Sequence, residues 1–163
     1  MLRSFPRPGA VEWIGLSPGR KQPIVEVDGV LCEVGTGLKG DRHALSGRGK
    51  RQVTLVQHEH LAVVSALVGR EVHGRDLRRN LVVSGINLWA LKDRVFRVGE
   101  ALLQGTGPCA PCNRMESNLG EGGYNAMRGH GGITASVLEA GWIRVGDAVE
   151  FVDGDGDDSL TQP

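Results

Sequence analysis

Large aromatic side chains are scarce in this 163-residue chain, 4% of the whole, so its core must be filled by the aliphatic residues that dominate its 40% apolar content. Cysteine is scarce too. Three cysteines, an odd number with no secretory context, do not make a disulfide framework, and reduced thiols are expected. No apolar run approaches the roughly 18 residues that mark a membrane-spanning helix. Pro6 and Pro8 interrupt the N-terminus before a signal h-region can form. There is no excess of either charge, the 19 Lys and Arg balancing 19 Asp and Glu. Four of those carboxylates, Asp153, Asp155, Asp157 and Asp158, sit in the tail DGDGDDSLTQP. Without them, 15 acidic residues face the 19 basic ones. That surplus suits a small anionic ligand and is too weak for nucleic acid. These absences predict a cytoplasmic protein with no membrane and no nucleic-acid partner. It is expected to be a single domain over 1–152 followed by an acidic, disordered tail over 153–163.

Glycine is plentiful, 25 residues scattered without a period, which predicts many tight turns between short strands. Alternation predicts strands at Val11–Leu16 and Arg51–Val56, and Asp28-Gly29 predicts a hairpin joining Ile24–Val27 to Val30–Val34. Leu61, Val64, Leu67 and Val68 predict a helix over Glu59–Val68 that Gly69 ends. Further strands are expected at Leu81–Val83, Val95–Val98, Ala101–Gln104, Gly132–Glu139, Trp142–Arg144 and Ala148–Val152. Two short helical pieces, Met115–Leu119 and Tyr124–Met127, are expected around Gly120–Gly123. Short strands with few helices predict a mainly β barrel or sandwich.

Two of the three cysteines form a CxxC in Gly105-Thr106-Gly107-Pro108-Cys109-Ala110-Pro111-Cys112. A proline before each thiol predicts a stiff turn that presents sulfur. The pattern fits half a zinc site, which would need ligands from among His43, His58, His60, His73 and His130. It fits a thioredoxin-like redox pair less well, because no βαβ pattern surrounds it. It also fits two small side chains buried under a loop, or a thiolate that holds a cofactor or carries sulfur. Gly35–His43 and Gly47–Arg51 combine glycines with Lys39, Arg42, Arg48, Lys50 and Arg51, but lack the GxxxxGK[ST] pattern of a phosphate-binding loop. Arg79-Asn80 opens a strand with a planar guanidinium fork and a donor–acceptor amide. His58-Glu59-His60 does not match HExxH and reads as a helix start, while His130 reads as a turn residue.

Taken together, GLKGDRH, RRNLVVSGINL, FRVGEALLQGTGPCAPCNRME and GGYNAMRGHGGITASVLEAGWIRVGDAV resemble the MOSC domain. This is the C-terminal domain of molybdenum cofactor sulfurases, which also occurs as small stand-alone proteins. The resemblance runs from about Val11 to Phe151. It implies a mainly β, barrel-like MOSC fold of short strands with a few short helices, and binding of the molybdenum cofactor (molybdopterin). On that resemblance Cys112 is the catalytic residue and metal ligand, or the carrier of persulfide sulfur. Arg79 and Asn80 would contact the cofactor, and Asp41, Arg42 and His43 would line the pocket rim. Cys109 matches a more variable cofactor-side position, and Cys32 matches none.

Three functions follow. The first is a cofactor-dependent reductase of N-hydroxylated compounds. The second is a sulfur carrier in cofactor sulfuration, and the third a non-enzymatic zinc-binding or interaction module. The chain has no pyridoxal-phosphate desulfurase domain and no four iron–sulfur thiolates. Sulfur from a cysteine desulfurase, or electrons from an electron-transfer protein, would therefore arrive from a partner.

Overall fold

The computed structural model describes residues 1–42 and 49–152. The tail over 153–163 and His43 lie outside the described residues.

Seven strands close a barrel: β1 (Gly9–Leu16), β5 (Val53–Gln57), β6 (Leu81–Ser84), β7 (Val95–Val98), β8 (Ala101–Pro108), β9 (Ile133–Glu139) and β11 (Ala148–Phe151). Their order is β11-β7-β8-β9-β5-β6-β1, and a short β1–β11 ladder shuts the ring. β2 (Val25–Val27) hangs on the far part of β1, at Ile14–Leu16. β10 (Gly141–Arg144), β3 (Gly29–Glu33) and β4 (Gly37–Leu38) make a separate three-stranded sheet. The expected barrel-like class is therefore what forms, with mostly antiparallel neighbours.

Aliphatic side chains fill the ring, Ile14, Leu55, Leu81, Leu103 and Ile133 among them; Phe96 is fully buried with them, and Phe5 and Phe151 pack against the cluster half-buried. A second apolar cluster lies outside the barrel wall. There Val56 and Val82 meet Val64 of α1 (His58–Val68), Leu77 of α2 (Gly74–Leu77), Met115 of α3 (Asn113–Leu119) and Met127 of α4 (Gly123–Met127). All five residues of β5 are consequently buried, because both faces of that strand are covered. Among the described residues, no helix is long and apolar enough to cross a membrane.

Several local expectations shift. Asp28-Gly29 does not join a hairpin: β2 pairs with β1 and β3 pairs with β10, so the chain changes sheets there. The Asp28 carbonyl accepts the Val145 N–H at 2.9 Å instead of closing a tight turn. A βαβ unit is present after all, since β5 and β6 run parallel across α1, although the CxxC is not part of it. On α1, Leu61, Val64 and Val68 face the wall while Leu67 is exposed, as one residue's rotation of about 100° requires. Gly69 ends the helix in the left-handed region at φ 80°, as expected.

Candidate functional site

The chain leaves β8 at Pro108 and reaches α3 at Asn113 without a hydrogen-bonded turn or a bend over Cys109–Cys112. The stiff turn expected there is absent, since Pro111 favours extended backbone and restricts the residue before it. The two thiols therefore have different fates. Cys109 is buried at 1% exposure, whereas Cys112 is exposed. Only one of the pair presents its sulfur. Cys32 is also buried, and burial, then the neighbouring Glu33, pushes its thiol up to about 12.

Arg79 pins this segment from beneath. It is 3% exposed, and its guanidinium donates to the Gly131 carbonyl from Nε (2.9 Å), to Leu77 from Nη1 (3.2 Å) and to Cys109 from Nη2 (3.5 Å). The Cys109 N–H returns to the Gly132 carbonyl at 2.8 Å. A side chain at Gly131 would strike the Cys109 carbonyl, so glycine is required for this close approach. Desolvation pulls the Arg79 guanidinium down from its ordinary value. The sulfurs of Cys109 and Cys112 oppose that shift, and Arg51 adds to it. A buried cation thus underlies both sulfurs.

Asn80 points away from this group. Its Oδ1 accepts from Thr54 N–H (3.0 Å) and Thr54 Oγ1 (3.2 Å). Its Nδ2 donates to the Gly15 carbonyl and to Asp41 Oδ1, both at 3.1 Å. Two donors and two acceptors exhaust the amide. Asn80 therefore ties β1, β5 and the start of β6 to Asp41. Asp41 is not on a rim but buried at 1% exposure, where its Oδ1 also accepts the Ser17 N–H at 2.7 Å. Arg42 follows on the surface side, its N–H bonded to the Ser17 carbonyl at 2.7 Å.

Two arginines that sequence reasoning passed over complete the site. Arg78 is half-buried and adopts φ 54°, a left-handed conformation that turns its side chain away from that of Arg79. Its Nη2 donates to Ser17 Oγ at 2.7 Å. Desolvation, then Arg114 and Arg42, pull its guanidinium down, while Asp41 opposes them. Arg78, Arg114 and Arg42 therefore share one neighbourhood with the buried Asp41 carboxylate. An open cleft of about 350 Å3, lined by Pro23, Ile24, Arg75, Asp76, Arg78 and Asn118, leads to it. The available signal was the doubled arginine. The left-handed backbone of Arg78 at the end of α2 lets the two adjacent guanidinium groups reach different partners, Ser17 for one and Gly131 for the other.

This arrangement can hold an anion on the arginine cluster near an exposed soft sulfur. Among the described residues, no three His, Cys, Asp or Glu are grouped to hold a metal ion. A protein-only zinc site thus lacks its donors within them, whereas a cofactor bringing its own sulfur ligands needs a single thiolate.

A family model described as MOSC domain matches residues 41–150. No curated protein matches the chain in sequence. Among solved structures, the YuaD protein from Bacillus subtilis superposes with a TM-score of 0.74 at 20% identity, covering 90% of this chain and 97% of that one. YiiM from Escherichia coli gives 0.70 at 21% identity over 93% and 73%. YiiM from Geobacillus stearothermophilus gives 0.69 at 18% over 90% and 76%. At such identities the likeness is one of fold.

Proposed function

Because the chain belongs to the MOSC domain family, we propose that it binds the molybdenum cofactor, with Cys112 as the protein's thiolate ligand, and reduces N-hydroxylated compounds. The observation that carries this reading is one exposed thiol, Cys112, two residues from Arg114, which shares the neighbourhood of Arg78 with Arg42. When bound, the cofactor would supply a two-electron redox centre. The residues around it have separable tasks. Cys112 offers a soft donor to the metal. Arg78, Arg114 and Arg42 would bind the cofactor's phosphate, Arg78 being oriented by Ser17. Arg79 holds the segment that carries both cysteines, so Cys112 meets the cofactor from a fixed backbone. Asn80 and Asp41 fix the opposite wall. Electrons would come from a partner protein.

The test is elemental analysis for molybdenum together with pterin fluorescence, on protein from a host that makes the cofactor. Wild type should carry both near stoichiometry and Cys112→Ser should lose the metal. Arg78→Ala should lose pterin as well. Stoichiometric apo protein from that host rejects the reading.

The exposure of Cys112 favours one second reading, a persulfide carrier loaded by a cysteine desulfurase, because a partner can reach that sulfur. Mass spectrometry after incubation with a desulfurase should then find one added sulfur atom in wild type. Equal gain in Cys112→Ser would eliminate it.

A further inference from the structure

A smaller cavity, of about 140 Å3, borders Gly132, whose carbonyl accepts the Cys109 N–H, and the chemistry above does not use it. Leu88 and Trp89 of the 3-10 helix (Leu88–Leu91) line it together with Gly132, Ile133, His60 and Asn87. An apolar cavity of roughly 150 Å3 accommodates a single benzene-sized ring. The space therefore fits one ring and not two.

The lining also selects the ring's chemistry. Leu88 and Ile133 are buried aliphatics, and Trp89 stands 54% exposed as a flat face. Among the described residues, no Asp, Glu, Lys or Arg lines the cavity. Lys92 Nζ lies 5.3 Å from the centre of the Trp89 ring and is paired with Asp93 at 2.8 Å, so the ring already has a cation beside it, with its charge balanced. An uncharged ligand is favoured.

Its polar edge is set by His60 and the Asn87 Nδ2, the Gln57 amide and the Asn87 Oδ1 being in use. The Gln57 amide is committed, accepting the Leu88 N–H at 2.9 Å and donating to Glu59 (3.2 Å) and the Val83 carbonyl (3.4 Å). Asn87 Oδ1 accepts the Trp89 N–H at 3.2 Å. His60 stacks edge-to-face on His130 with ring centres 5.1 Å apart. Among the described residues, neither nitrogen of His60 has a hydrogen-bond partner. Partial burial, then His130, hold its pKa below the ordinary value against the opposing Glu59, so the ring is neutral at neutral pH. A neutral imidazole offers one donor and one acceptor. We propose that this cavity is a second ligand site, taking a single uncharged heteroaromatic ring that lies on Trp89 and hydrogen-bonds to His60 through its polar edge.

The site goes beyond the cofactor reading and does not depend on it. The experiment is a titration followed by 1H–15N spectra, with 2-pyridone as probe and N-methylpyridinium as charged comparator. 2-Pyridone should shift the Trp89 indole N–H and the His60 ring signals saturably, and N-methylpyridinium should not. Trp89→Ala and His60→Ala should each weaken the dissociation constant about tenfold. Because Trp89 is largely exposed, its alanine variant should keep the wild-type core methyl spectrum. Cys112→Ser, which abolishes metal binding on the cofactor reading, should bind 2-pyridone as wild type does. Absence of saturable shifts, equal binding of the cation, or wild-type affinity in both alanine variants overturns the proposal.

Discussion

Asn80 and Cys112 show how differently two site residues can be constrained. Every polar atom of the Asn80 amide is used inside the protein. Asn80→Ala strands the buried Thr54 N–H and takes a donor from the Gly15 carbonyl and from Asp41 Oδ1, at a cost of about 3 kcal/mol measurable by urea unfolding. A loss below about 1 kcal/mol would show that water replaces the amide without strain. Cys112 is free to react, whereas Cys32 and Cys109 are buried. A thiol reagent should therefore modify Cys112 alone in the folded protein and all three cysteines after denaturation; rapid modification of Cys109 would show that its segment opens. Burial also links Cys32 to pH. Its thiol is raised from 9.0 to about 12, so its contribution to stability is complete below pH 9.0 and declines as pH rises toward 12, where the unfolded chain ionises first.

The elements around the site are joined by few contacts, and one of these is electrostatic. Glu116 on α3 accepts the Gly122 N–H at Oε2 and the Tyr124 N–H at Oε1, both at 3.0 Å, which clasps the start of α4. The Tyr124 N–H, then that of Gly122, hold its carboxyl below the ordinary 4.5. A depressed carboxylate stabilises above its unfolded value, and the effect is lost as pH falls through its lower folded value. Hydrogen-exchange protection of α4, corrected for intrinsic rates, should fall in wild type as pH drops below 4.5. Glu116→Gln should show the lower protection at neutral pH and little further change; identical profiles would remove the clasp from the account. This clasp was not legible in the sequence, because nothing in Gly120–Gly123 names its partner. The helices it joins were legible, as were the β7–β8 hairpin and the Gly69 cap, since local periodicity and turn chemistry decide them. The Asp28-Gly29 hairpin was misread because the partners of β2 and β3 lie far along the chain. Likewise the CxxC motif set two thiols on one segment, while the division into one buried and one exposed thiol depends on Arg79 and Gly131, both distant in sequence from the pair.

At the scale of the whole molecule, the site depends on a ring closed from the two ends of the chain. β1 meets β11 at only two register pairs, Gly9 with Val149 and Ala10 with Ala148. Two further bonds reinforce them, from the Val11 N–H to Asp147 (2.9 Å) and from the Gly146 N–H to Val11 (2.7 Å). The β5–β6 wall is nearer in sequence and carries Arg78 and Arg79 at its edge. Loop-closure entropy grows with the separation of the joined segments, so the β1–β11 seam should form after the β5–β6 wall and its helices. Val149 and Leu55 are both fully buried, and replacing either by alanine should cost roughly 2–4 kcal/mol. The kinetic consequences should differ. Leu55→Ala should slow folding, because its contacts are present in the transition state, while Val149→Ala should mainly speed unfolding. Chevron plots of the two variants decide the order. If Val149→Ala slows folding as much as Leu55→Ala does, the ring closes before the wall is complete, and the site is assembled by barrel closure instead of being built ahead of it.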